Sequence, residues 1–273
     1  MSVVATVKAA IFRSTPVRRL VFAYRFRYGW QSHSLERQDL AAAYLSGRGL
    51  EIGALQFPLP VPRSVRITYV DRMTTKELRA QYPELREHPL VPVALVDNGE
   101  TLRAVADGSQ YFVVACQFLE HCENPIGAVE NFLRVVREGG ILYLAIPNRD
   151  YTFDRSRSAT PLAHLWNDYE GRPEWSRERH FQEFSRAMSV AYHPHNSEVE
   201  VTEDAVRLMA QNYSIHYHVW DMESWMAFLL SLRERFGFHV ECVLRHRKKS
   251  SPSSRRQTAL TIGVLPTDRA LNS

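Results

Sequence analysis

YFVVACQFLEHCENPIGAVENFLRVVREGGILYLAIP, residues 111–147, carries a strand, a helix and a second strand in one stretch. The run from Tyr111 to Gln117 and the run from Ile141 to Pro147 are continuously apolar, the pattern of strands covered on both faces. Between them Asn124 can cap a helix and Pro125 suits its first turn. Ile126, Val129, Phe132, Leu133 and Val136 recur at helical spacing and make one apolar face. Gly139 and Gly140 are expected to stop that helix. Two buried strands joined by a helix make a parallel crossover.

Working outward, the unit repeats. GLEIG (49–53), VRITYVD ending at Asp71 and LVPVALVD ending at Asp97 are further β-type runs separated by helical or turn-rich connections. This alternation predicts an α/β fold with a doubly wound, mostly parallel sheet. Residues 148–217 break the period, and a polar, aromatic, His-containing stretch of that length is expected to serve a site. The pattern resumes with DMESWMAFLLSLRERFG, whose Asp221 is a cap and whose Trp225, Phe228, Leu229, Leu232 and Phe236 line one face. HVECVLRHR and QTALTIGVLP, joined by the polar KKSSPSSRR, predict an antiparallel C-terminal hairpin. The expected organisation is a basic N-terminal helical segment over 1–46 that covers the site, a main domain over 47–266 with an insertion at about 148–217, and a tail at 267–273.

Composition narrows the setting. The 273 residues are 45% hydrophobic and 23% charged, enough to bury a substantial core. Cys116, Cys122 and Cys242 are too few and too scattered for a disulfide framework, which fits a reducing cytoplasm. No run approaches the roughly 20 apolar residues of a membrane-spanning helix. The net charge of +4 gathers at the two ends. Such basic ends attract any polyanion without reading it, so no specific nucleic acid is expected. Before Glu36 the N-terminus carries Lys and Arg but no acidic residue, a pattern of transit peptides, membrane-surface helices and segments packed over a domain alike. Its aromatic residues leave a homodimer open.

In open α/β sheets ligands bind beyond the carboxyl ends of the strands, where strand order reverses. Gly53 allows close backbone approach there, but a G-x-G-x-x-G fingerprint for a pyrophosphate is absent. Glu51 can hold an ammonium group or order the loop through hydrogen bonds. Asp71 can accept both hydroxyls of a ribose, and Asp97 ends the third run. Three carboxylates at three strand ends suit a ligand with a ribose and a positive charge and no phosphates.

The order LEIG, ITYVD, LVD, FLEHCENPIG, RVVREGGILYLAIP resembles the class I S-adenosylmethionine-dependent methyltransferases. FLEHCENPIG, RVVREGG and YTFD are similar to a type 11-like bacterial branch with many members linked to cell-surface glycans or secondary metabolism. The resemblance spans roughly residues 47–266 and implies a seven-stranded sheet with an antiparallel last strand. It implies S-adenosyl-L-methionine as cofactor, with S-adenosyl-L-homocysteine as product. It also implies that Glu51 and Gly53 shape the methionine pocket and Asp71 binds the ribose. Asp97 and Asn98 would lie near the adenine, and Ala115, Cys116 and Gln117 beside the sulfonium. One glycine suffices after Glu-Ile because this cofactor brings no pyrophosphate. The chain departs from the branch at Tyr111, where Asp is usual, at Gln117, often His, and at PNRD (147–150), usually PDKR.

Methyl transfer is an in-line displacement from an activated sulfonium, so positioning supplies most of the catalysis. A base is needed when the acceptor is a hydroxyl, and His121 after the fourth strand is the candidate, with a turn-capping role as the alternative. Asn148 keeps a polar group at the fifth strand end. Arg149, Arg155 and His164 are the candidates for contacts to a small-molecule or saccharide acceptor. The other Arg residues of 149–179 interleave with acidic ones and read as a salt-bridged surface. Tyr151, Phe153, Trp166, Tyr169 and Trp175 either stack on the acceptor or form the insertion's own core. No metal is expected; His164 and Asp168 share a helical face and supply the alternative, a divalent-metal site. O-methylation of a small molecule or glycan leads. A cofactor-binding protein without transfer, or using the fold for another reaction, is the second reading, and a nucleic-acid-modifying enzyme the third. Against the third, the fourth run ends in ACQFLEH, without a D/N-P-P-Y/F or Pro-Cys motif.

Overall fold

A computed structural model of the chain describes residues 37–85, 87–171, 173–243 and 259–266. The readings placed on residues 1–36, on KKSSPSSRR and on 267–273 lie outside the described residues. Five strands lie parallel in the order β3-β2-β1-β4-β5: β1 (Arg48–Ile52), β2 (Arg66–Asp71), β3 (Leu95–Val96), β4 (Gln110–Cys116) and β5 (Val136–Pro147). Strand order therefore reverses between β1 and β4. The backbone of Ala259–Pro266 runs antiparallel beside β5, and Phe238–Val243 runs antiparallel beside it in turn.

Both faces of the parallel strands are covered, which is why these runs are apolar without alternation. Successive β4 side chains point to opposite faces. Phe112 and Val114 pack with Leu40, Ala41 and Tyr44 of helix α1 (Arg37–Tyr44). Val113 and Ala115 pack with Ile126, Val129 and Phe132 of helix α3 (Pro125–Val135) and with Trp225, Phe228 and Leu232 of helix α7 (Met222–Phe236). Asp221 caps α7, and Gly237 ends it in the left-handed conformation at φ 68°. Helix α2 (Thr75–Gln81) follows β2 and starts in a Thr74–Glu77 capping box.

Three details depart from the sequence reading. The third run contributes only Leu95–Val96 to the sheet, because Pro92 has no N–H for a ladder. Helix α3 ends at Val135, four residues before the glycines. Its cap Val136 already has extended dihedrals, which a β-branched residue favours. Gly139 and Gly140 sit instead in a bulge of β5, where pairing jumps from Gln110↔Val136 to Phe112↔Ile141. A Cβ on Gly140 would lie 2.4 Å from Val136 Cγ1 and 2.9 Å from the Tyr111 carbonyl oxygen. Gly140→Ala is therefore expected to cost about 1–3 kcal/mol by overpacking, read as a lower urea midpoint at unchanged slope.

The aperiodic stretch 148–217 folds into short 3-10 turns and three helices, α4 (Leu162–Gly171), α5 (Arg177–Tyr192) and α6 (Glu198–Ala210). It has a core of its own, built on Phe181, Phe184, Ala205, Leu208, Ile215 and Tyr217, with Phe153 packed against it. Trp166 and Tyr169 belong to the main core, while Tyr151 and Trp175 are exposed. No helix among the described residues is long and apolar enough to cross a membrane.

Candidate functional site

A cleft of about 450 Å³ opens where strand order reverses, at the carboxyl ends of β1, β2 and β4. Its size and place suit a small ligand. Of the residues singled out from sequence, Gly53, Asp71, Asn98, Gln117 and His121 line it. Gly53 is at φ 64° and donates its N–H to the Val70 carbonyl at 3.0 Å, tying the loop after β1 to β2. Gln117 follows β4 at φ 54°, a costly conformation for a residue with a Cβ and one that clusters at functional sites. Asp71 ends β2, and burial raises its carboxyl above the usual range against the hydrogen bonds from the Arg72 and Met73 backbone.

His121 ends a 3-10 turn, Leu119–His121. Its Nδ1 lies 2.9 Å from the Ile215 carbonyl and 3.1 Å from Ser214 Oγ. A carbonyl only accepts, so Nδ1 carries the proton and Nε2 keeps its lone pair. Burial, and then the charge of His216, push the imidazole down to about 3, so it is neutral at physiological pH.

The remaining candidates lie outside the lining. Glu51 is 1% exposed and accepts a hydrogen bond from the Leu59 N–H at 2.7 Å, so it orders the loop after β1. Burial lifts its carboxyl to about 7. Asp97 accepts from the Asn98 and Ala104 N–H groups, both at 2.8 Å, and shapes the turn that presents Asn98. Ala115 is fully buried in the main core. Asn148 caps the turn Arg149–Tyr151 by accepting from the Asp150 N–H at 3.0 Å. Arg149 donates to the Arg157 and Arg155 carbonyls and faces Asp221 at 3.6 Å, while Arg155 itself is exposed. His164 lies in a separate buried group with Asp168, His180 and His218.

Sequence reading missed what the insertion brings. Asn212, Tyr213, Ser214 and Tyr217 close the far side of the cleft. Arg72 fastens this side to β2, donating to the Asn212 carbonyl at 3.3 Å and to Tyr82 Oη at 3.0 Å, and Tyr82 stacks edge-on against Tyr213 at 5.5 Å. Behind His121, Asp154 accepts from His216 Nδ1 at 2.6 Å and from Arg157 at 3.0 Å. Burial alone would raise the Asp154 carboxyl, but His216 and Arg157 outweigh it and hold the group low. Arg157, grouped by sequence with surface arginines, is buried and also donates to the His216 and Tyr217 carbonyls. Arg72 and Asn212 lie 140 positions apart and Asp154 and His216 lie 62, and no local period marks such pairs.

Comparison with known proteins finds a likeness over part of the chain. Residues 46–144 match the family described as "Methyltransferase domain". No curated protein matches the chain significantly. Among solved structures, a SAM-dependent methyltransferase of Thermotoga maritima is 15% identical over 84% of this chain and 86% of its own, with a TM-score of 0.43. One of the SAM-dependent methyltransferases of Methanosarcina mazei is 13% identical over 86% and 99%, at 0.43. A Rhodobacter sphaeroides chain assigned to the Zn-dependent alcohol dehydrogenases is 15% identical over 87% and 92%, at 0.48. Likeness at this level carries no argument about chemistry. The match over residues 46–144 covers β1 through most of β5, the strands whose ends build the cleft.

Proposed function

We propose that the protein moves the methyl group of S-adenosylmethionine to an oxygen of a small-molecule or glycan-type acceptor. One observation carries the reading: residues of the strand ends and residues of the insertion line a single cleft, with His121 among them. In this reading Asp71 holds the ribose hydroxyls, and Asn98, presented by Asp97, lies beside the adenine. Gly53 lets the backbone approach the methionine portion, while Glu51 acts on that loop through Leu59. Gln117, carried at the end of β4 beyond Ala115, sits by the sulfonium. His121 Nε2 takes the acceptor proton as the methyl group leaves sulfur, and S-adenosylhomocysteine remains. The hydrogen bond from Nδ1 to the Ile215 carbonyl fixes the tautomer this step needs. Asn148, Arg149, Arg155 and His164 are left out, because three are tied into other contacts and Arg155 is exposed.

The reading extends to organisation. Residues 47–266 form the transferase unit on a seven-stranded sheet closed by an antiparallel hairpin, and the insertion supplies the acceptor side.

The test is calorimetric titration with S-adenosylmethionine and S-adenosylhomocysteine, followed by an acceptor screen read as S-adenosylhomocysteine formation. A productive acceptor should lose about 100-fold in kcat with His121→Gln while the product's Kd stays within a few-fold. The depressed basicity of His121 favours a second reading, cofactor binding without transfer to a hydroxyl. Saturable binding with no product across sugars, phenols and amines would select it. Turnover on added nucleic acid that nuclease abolishes would select the third.

A further inference from the structure

We propose that His164, Asp168, His180 and His218 hold one zinc ion that staples the insertion to the main domain. His164 and Asp168 come from one face of α4, His180 from the first turns of α5, and His218 from the extended segment ahead of α7. Their donor atoms all lie within 4.8 Å of one another. His164 Nε2 is 3.1 Å from His180 Nε2 and 3.2 Å from Asp168 Oδ2, and His218 Nε2 is 3.6 Å from that same oxygen. Zinc bonds of roughly 2.0–2.1 Å in a tetrahedron place neighbouring ligand atoms about 3.3 Å apart, close to these three distances.

Hydrogen bonding accounts for only part of the group: His218 Nε2 also lies 3.4 Å from the Glu123 carbonyl oxygen, a long contact, and the other donor atoms turn on one another. Two imidazole Nε2 atoms face each other, and only one of a neutral pair can donate. Asp168 is fully buried, and its Oδ2 receives no hydrogen bond. Its Oδ1, by contrast, accepts from Trp175 Nε1 at 2.8 Å and Ser176 Oγ at 3.2 Å. Those two donors orient the carboxylate and leave Oδ2 aimed into the group, as outer partners of metal ligands do. Three imidazoles and one carboxylate in a closed four-coordinate arrangement suit zinc and leave no open position for a substrate. The ion's role is therefore structural. Tyr217, next to His218 and 5.8 Å from the His180 ring, is part of the cleft wall, so the staple sets where that wall stands.

The full chain, purified without added metal, should carry about one zinc per molecule by elemental analysis. Removal with 1,10-phenanthroline should lower Tm by about 5 °C or more, and zinc alone should restore it. Cobalt added to the stripped protein should give the visible bands of a four-coordinate site, a readout that needs no variant. His218→Gln and Asp168→Asn should reduce zinc to background, whereas His193→Gln, an exposed histidine, should keep it. Zinc at background in the wild-type chain together with no Tm response to added zinc overturns the proposal. So does full zinc content in both His218→Gln and Asp168→Asn.

Discussion

Asp71→Ala is expected to weaken S-adenosylhomocysteine binding by at least about 300-fold while the fold stays intact. The carboxylate sits at the carboxyl end of β2 in the wall of the cleft, where the proposed cofactor would present its two ribose hydroxyls. Two hydrogen bonds to a charged acceptor contribute roughly 1.5–3 kcal/mol each, and about 3.4 kcal/mol already amounts to 300-fold. The same group gives the binding a pH dependence. Burial raises the Asp71 carboxyl, and only its ionised form accepts from both hydroxyls, so affinity should fall as pH drops toward that raised value. Asp71→Asn should remove the pH dependence and retain part of the affinity, since its oxygen still accepts one bond. Calorimetry between pH 5 and 8 reads both effects; wild-type affinity in Asp71→Ala would remove Asp71 from the ribose site.

Glu120→Gln should stabilise the protein at high pH. Both carboxyl oxygens of Glu120 are buried without hydrogen-bond partners, and burial lifts the group from 4.5 to about 8. The folded state therefore holds this proton more tightly than the unfolded chain does. Stability from the group is fully present below about 4.5 and is lost as pH rises through about 8. At about 1.4 kcal/mol per tenfold in proton affinity, the loss at pH 9 is on the order of 5 kcal/mol. Gln cannot ionise, so the variant and the wild type should be close at pH 5 and diverge in the variant's favour toward pH 9. Urea unfolding at the two pH values tests this, and a stability difference independent of pH would show that the folded protein holds the Glu120 proton no more tightly than the unfolded chain does. Comparing variant with wild type at each pH cancels His121 and His180, whose depressed values act in the opposite direction below about 6.5.

The sequence by itself determined the parallel strands, the caps and the strand-end side of the cleft. Each is a local property: a strand buried on both faces reads as an apolar run, Asn124 and Asp221 act within four residues, and strand ends in a doubly wound sheet converge on one crevice. Gly53, Asp71 and His121 could be read for that reason, and Asn98 and Gln117 through the resemblance. Only the tertiary structure decided the rest. Local chemistry marked Gly139 and Gly140 as a helix stop, but Val136 entered the sheet first and made them a bulge. Arg157 and Arg149 are alike in sequence context, yet one is buried against Asp154 and the other ties a turn to α7, a difference set by segments some 60 residues away. His164 and Asp168 announced a shared helical face, while His180 and His218 joined them through the packing of α4, α5 and the segment before α7. Helical and strand periods report on neighbours along the chain; which histidine meets which carboxylate across 50 residues depends on how the insertion's helices dock on the sheet.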